Sequence, residues 1–279
     1  MPRILVTIVV ALLASRVAHA DARTKALDAL VDKQVAAYFK GDEKGFKAGL
    51  AKSGQYSILG LHPRNVVIPD PPDNVEDLKI ARRQTAWNGT WGWSIAEVTL
   101  TSWWKKPPAP PDSKRRAETW HWVTFAVAER GVVKARLVVA AWAQPADKFT
   151  YMKWIDDMPA AASPPAIAGL LAHPATLTLA DAPQIALAGS QPSELAMGPA
   201  AAKQRLDAWR TTTFQVLDTD VASDKQDYQP VEITVDDAQV AWAPMRWKLP
   251  GQTQWMKGSA VLIGKKTKTG TAIVVLAYH

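Results

Sequence analysis

Three stretches of this chain occur twice in the same order, so it is expected to fold as two copies of one unit. His62, Pro63 and Asp70 face His173, Pro174 and Asp181 at an offset of 111 residues. Ala86 and Trp87 recur as Ala208 and Trp209 at an offset of 122, and the run Leu137 to Trp142 recurs as Ile273 to Tyr278 at 136. Growing offsets with conserved order are what a duplication with small insertions leaves behind.

The segment before the repeats reads as a leader. Arg3 precedes an apolar run from Ile4 to Ala14, and Ala18, His19 and Ala20 place small residues at a cleavage point. The run is about half of the roughly 20 residues a bilayer span needs. No cysteine follows to take a lipid, so no stable membrane anchor is expected. The reading is a periplasmic or secreted protein, cut after Ala20. The remaining 259 residues suit two domains, read as 21–143 and 165–279 with a linker at 144–164. With no cysteine, neither disulfides nor thiolate chemistry can contribute. Without Arg3 and Arg16, 31 Lys and Arg stand against 26 Asp and Glu. That mild excess gives no support to nucleic-acid binding.

Leu27, Leu30, Val31, Gln34/Val35 and Tyr38 recur at helical spacing, and Gly41 follows as a stop signal. Asp42 is placed to cap a second short helix carrying Phe46 and Leu50 on one face. Val75 to Trp87, after a Pro/Asp/Asn cluster, predicts a third helix. Glu97 to Trp104, Thr119 to Ala128 and Val132 to Trp142 alternate as strands, with Lys105 to Arg116 as a long hairpin loop. In the second half, helices are expected at Ile167 to Ala172 and Pro199 to Trp209. Strands are expected at Thr176 to Leu179, Thr213 to Val221, Ala238 to Leu249, Gln254 to Ile263 and Thr271 to Tyr278.

Chemistry-bearing patterns are few. The His62/Asp70 and His173/Asp181 pairs could be a duplicated acid–base couple. Eight residues of extended chain hold each pair about 25 Å apart, at roughly 3.3 Å per residue. They therefore read as turn punctuation. His121 lies in a strand whose alternation puts His121, Val123, Phe125 and Val127 on one face and Trp120, Trp122 and Thr124 on the other. It is the one candidate for pocket acid–base work, and equally a hydrogen-bonded core residue. Asp218, Asp220, Asp224 and Asp227 lack the glycine and final glutamate of a calcium loop, so no metal site is assigned. No hydrolase, zinc-protease, phosphate-loop or dinucleotide motif is present, and no cofactor is expected.

The opening helix around Leu27 to Phe39, its Gly41-Asp42 break, the tryptophans at Trp87 and Trp209 to Val216, and the Val240 to Ala243 strand together resemble the SnoaL-like branch of the nuclear-transport-factor-2 superfamily. The resemblance spans most of 21–143 and 165–279. It implies an α+β fold of two cone-like domains, each a curved antiparallel sheet wrapped by helices around an apolar pocket. The second half departs from the pattern, with only Ala161 to Ala172 in place of a long first helix. Such a family holds isomerases, cyclases and dehydratases beside members that only bind, so fold alone does not decide function. The resulting expectation is binding of a small apolar or aromatic molecule, or of a protein partner, without catalysis. Trp87, His121, Val123, Phe125 and Trp209 are expected at the pockets. A pocket enzyme using His121 on a hydrophobic substrate is the alternative. Envelope-glycan binding is a third, which requires Trp91, Trp103 and Trp104 to face solvent.

Both faces of the Thr119 to Val127 strand carry large apolar groups, as do the strands ending at Trp142 and Tyr278. A lone sheet with one wet face would leave such a patch in water. The two sheets are therefore expected to pack back to back as an internal pseudo-dimer, with Trp120 and Trp122 between them.

Overall fold

The computed structural model of the chain describes residues 2–58, 71–72, 74–103, 115–143, 158–218 and 229–279, with side chains from Ala20 onward. His62, Asp70, Trp104, residues 105–114 of the expected hairpin loop, the 144–157 segment and Asp220, Asp224 and Asp227 lie outside the described residues.

Helix α1, Pro2–Phe39, carries the predicted stripe, with Leu27, Leu30, Val31, Gln34, Val35 and Tyr38 all buried. Gly41 takes φ 70, and the amide of Asp42 reaches back to the carbonyl of Ala37 at 2.9 Å, closing the helix through a left-handed residue. Asp42 then caps α2, Glu43–Ala48: its carboxylate accepts from the amide of Gly45 at 2.8 Å, and Phe46 is fully buried.

Five strands follow: β1 Leu50–Ile58, β2 Asn74–Asn88, β3 Trp91–Trp103, β4 Arg116–Glu129 and β5 Val132–Trp142. Their order across the sheet is β1-β5-β4-β3-β2, with β1 parallel to β5 and the rest antiparallel. The helix expected over Val75 to Trp87 is instead β2. Two register shifts, between Glu76 and Lys79 and between Ile80 and Arg82, break its period of two. Val75, Leu78 and Ile80 all still reach the core beneath α1. A bulge displaces the inward positions by one residue, and the resulting spacing of three imitates a helix.

The second half contains α3 Ala166–Gly169, β6 Thr178–Leu179, β7 Ala186–Ala188, β8 Leu195–Met197, α4 Pro199–Trp209 and β9 Thr213–Val216. It ends with β10 Val231–Val235, β11 Ala238–Lys248, β12 Met256–Thr267 and β13 Gly270–Tyr278. Its sheet runs β10-β11-β12-β13-β7-β8, with β7 parallel to β13. Taken from the parallel strand outward, β7-β13-β12-β11-β10 repeats the order β1-β5-β4-β3-β2. The match at Ala86-Trp87 and Ala208-Trp209 does not survive in three dimensions, because the first pair lies in β2 and the second in α4.

Three apolar layers hold the molecule together. One lies between α1, α2 and the first sheet, one between the two sheets, and one between the second sheet and α3 and α4. The assignment of faces is the reverse of the one expected. Trp120 and Trp122 point at the helices, where Trp120 packs on Phe39 at 5.2 Å and Trp122 on Tyr38 at 6.0 Å. Val123 and Phe125 occupy the layer between the sheets, with Trp91, Trp93 and Ile95 from β3 and Val240, Trp242, Val261 and Val275 from the other half. Indoles stand in both layers: Trp120 and Trp122 beneath the helices, and Trp91, Trp93 and Trp242 where the two sheets meet face to face.

Candidate functional site

The residues expected to form a pocket do not converge. Trp87 belongs to the layer under the helices and donates its indole N–H to the carbonyl of Gly89 at 2.8 Å, with the Arg23 guanidinium 5.4 Å from the ring centre. Val123 and Phe125 are in the inter-sheet layer, and Trp209 is in the third layer, its ring 4.9 Å from that of Tyr278. A cavity of about 40 Å³ beside Trp209 is too small for more than a water or two. Trp91 is 1% exposed and so presents no face to a glycan, while Trp103 is half-buried under Arg115, 4.8 Å away. His173 is exposed at the turn before β6, with its amide on the carbonyl of Leu170.

His121 is fully buried between the sheets, not in a pocket. Its ring lies 6.0 Å from that of His279, which is also fully buried. It rests against the Gly189 backbone, and no nitrogen of either ring makes a hydrogen bond of ordinary geometry. Burial lowers His121 to about 4, opposed by the charge of Glu97, and lowers His279 to about 3, helped by His121.

Sequence reasoning missed Glu118. Its carboxylate accepts from Ser102 Oγ and, at 3.0 Å, from Trp120 Nε1, and it pairs with Arg116 at 3.3 Å. The signal was available, since Glu118 is in phase with the inward indoles of Trp120 and Trp122. With three partners its oxygens are satisfied, and it reads as the anchor of those side chains.

Among the described residues, a cavity large enough for a ligand lies elsewhere, between α1, α2 and the start of β5. It has a volume of about 420 Å³ and is lined by Ala26, Ala29, Leu30, Lys33, Gln34, Gly45, Ala48, Gly49, Val132, Val133 and Lys134. Gln34 stands at its inner wall with 0% exposure, and both amide atoms are buried without a hydrogen-bond partner. At Gly49 a Cβ would come within 2.9 Å of the Gln34 amide nitrogen and 2.8 Å of Leu30, so the glycine lets these two side chains pack directly on the backbone between α2 and β1. Lys33 is at the rim, and Lys134 Nζ donates to the carbonyl of Ala48 at 2.6 Å. No carboxylate lines the cavity. An uncharged amide with an apolar surround and basic rim suits a polar head that both donates and accepts, attached to an apolar body. The sequence placed Gln34 in the α1 stripe but gave it no role at a site. A glutamine among Leu30, Val31, Val35 and Tyr38 is the signal that could have found it.

Among solved structures, the chain is similar to a ketosteroid isomerase-like protein from Erwinia carotovora atroseptica, at 9% identity over 44% of this chain and 97% of that one, with a TM-score of 0.32. It is similar to an NTF2-like protein of unknown function from Pseudomonas putida, at 9% identity over 43% of this chain and 87% of that one, TM-score 0.32. An NTF2-like protein of unknown function from Shewanella baltica matches at 12% identity over 43% of this chain and 93% of that one, TM-score 0.28. No protein-family model and no curated relative matches the chain.

Proposed function

We propose that this chain is an exported, non-catalytic carrier of a small apolar molecule, built by tandem duplication of one helix-covered sheet unit and binding its ligand in the first half. The observation that supports this reading is Gln34: a buried amide with no partner, in the wall of a cavity of about 420 Å³. An unpaired buried amide costs roughly 1–3 kcal/mol, and a ligand that pairs with it recovers that cost on binding. The volume falls at the lower end of the roughly 300–1,000 Å³ typical of small-molecule sites. A catalytic reading has less support. His121 is enclosed between the sheets, away from this cavity, and the cavity's lining holds no carboxylate or histidine beside Lys33 and Lys134 to make an acid–base couple. Export rests on the Arg3 to Ala20 leader pattern.

Titration with 8-anilinonaphthalene-1-sulfonate, an apolar probe with an anionic head, tests the site. The native chain should enhance the dye's fluorescence. Ala29→Trp, which fills the cavity from its exposed wall, should abolish the enhancement without unfolding the chain. Equal enhancement by both proteins would overturn the assignment of the groove.

A further inference from the structure

We infer that the His121–His279 end of the inter-sheet layer is a proton-operated latch, closed while both imidazoles are neutral and opened when acid charges them. The proposal is independent of the groove, since it concerns how the two halves hold each other.

Strand alternation places the pair. His121 continues the inward series of Val123 and Phe125 on β4, and His279 continues that of Val275 and Ala277 on β13. Ser259 is bonded to His279 through both backbone amides at 2.8 Å and continues the series of Val261 and Ile263 on β12. Its hydroxyl is also buried without a partner. The apolar layer thus ends in two imidazoles and a hydroxyl whose polar side-chain atoms make no hydrogen bond of ordinary geometry, with the Gly189 backbone as the acceptor beside His121.

The surrounding charges cannot take over. From β3, Glu97 is the register partner of His121, but its carboxylate is held by Arg82 of β2. Arg82 acts on His121 in the opposite sense to Glu97. From β5 the neighbour is Ala141, and from the segment after β7 it is the Gly189 backbone. Glu194, whose side chain packs against Gly189, is paired with Arg205 at 2.8 Å. Charging one ring therefore strands a cation in an apolar layer, and charging both sets like charges 6.0 Å apart. Moving the sheets apart at this end hydrates both rings. The opposite end is tied by Trp91 to Asp237 and by Thr90 to Asp236 and, among the described residues, contains no histidine, so the opening is one-sided.

Hydrogen exchange read by mass spectrometry between pH 7.5 and 4, corrected for intrinsic rates, tests the latch. Protection of the amides around His121 on β4 and Ser259 on β12 should fall by at least about ten-fold as the pH drops below 6.5, because the open state binds protons that the closed state excludes. Amides near Trp91 and Asp237 should change less. In the His121→Leu, His279→Leu double variant the loss should vanish. The same acid response in both proteins would overturn the proposal. Should the double variant not fold, NMR titration of the histidines in the native chain decides. A midpoint near 6.5 for either residue, with protection unchanged, would equally overturn it.

Discussion

The indole N–H of Trp91 donates to a carboxylate oxygen of Asp237 at 2.7 Å, joining residues 146 positions apart and one half of the chain to the other. Trp91 sits at the start of β3 with its ring in the inter-sheet layer, and Asp237 in the turn between β10 and β11. Asp237 also pairs with Lys265 at 3.4 Å. Replacing Asp237 with Ala leaves a 1%-exposed indole N–H with no acceptor. Unfolding in urea should show a loss of about 1–3 kcal/mol. A loss under about 0.5 kcal/mol would place the attachment of the halves entirely in the apolar layer.

Trp122→Ala should destabilise the chain by about 3–5 kcal/mol, the range for truncating a buried aromatic. Because Trp122 packs on Tyr38 and on Phe46 at 6.2 Å, the damage should centre on α1, α2 and the first sheet. Exchange protection mapped along the chain checks this. Loss confined to the second half would contradict the facing of the indole.

Gln34→Leu should raise stability by about 1 kcal/mol or more while weakening binding of the anilinonaphthalene probe. The apolar isostere removes two unpaired polar atoms from the core but offers a ligand nothing to pair with. Paired thermal-melting and binding measurements separate the two effects. A Gln34→Leu protein that is less stable than the native chain would show that the amide is already satisfied.

Acid should weaken the fold in a defined window. Free histidine titrates near 6.5, whereas folded His121 and His279 titrate at about 4 and about 3. Both are neutral in the fold at neutral pH, and the unfolded chain takes up protons first. Stability is therefore full above about pH 6.5 and declines as the pH falls through 6.5 towards 4 and then 3. At about 1.4 kcal/mol per unit, His121 alone accounts for about 3 kcal/mol at the bottom of its window. Denaturant midpoints at pH 7.5, 5.5 and 4.5 should fall in that order, and fall less in the double leucine variant.

Protein recovered from the periplasm or the medium should begin Asp21-Ala22-Arg23, as the Ala18 to Ala20 pattern requires. N-terminal sequencing reads this directly. Intact Met1 in the membrane fraction would refute export.

Local rules carried far along this chain. The α1 stripe, the Gly41 stop, the Asp42 cap, α4 and the cores of β3, β4, β5, β11, β12 and β13 were all legible, because each rests on periodicity or on a hydrogen bond between residues near in sequence. β2 was not, because its two bulges hide the alternation and only the ladder to β3 stabilises it as a strand. The candidate site was legible in part: Gln34 shows as a polar residue in an apolar stripe, but the cavity beside it is made by Gly49 and Val133, brought there by the parallel pairing of β1 with β5.

The alternation of β4 determined by itself that Trp120 and Trp122 share one face and His121, Val123 and Phe125 the other, since successive strand residues point to opposite sides. Which face meets a helix and which meets a second sheet was decided only in three dimensions. Both faces are apolar, so burial favours covering both. The choice between them was made by partners distant in sequence: Tyr38 and Phe39 of α1 pack on Trp122 and Trp120, while β11, β12 and β13 cover Val123 and Phe125. That choice enclosed His121 with His279, a residue 158 positions away.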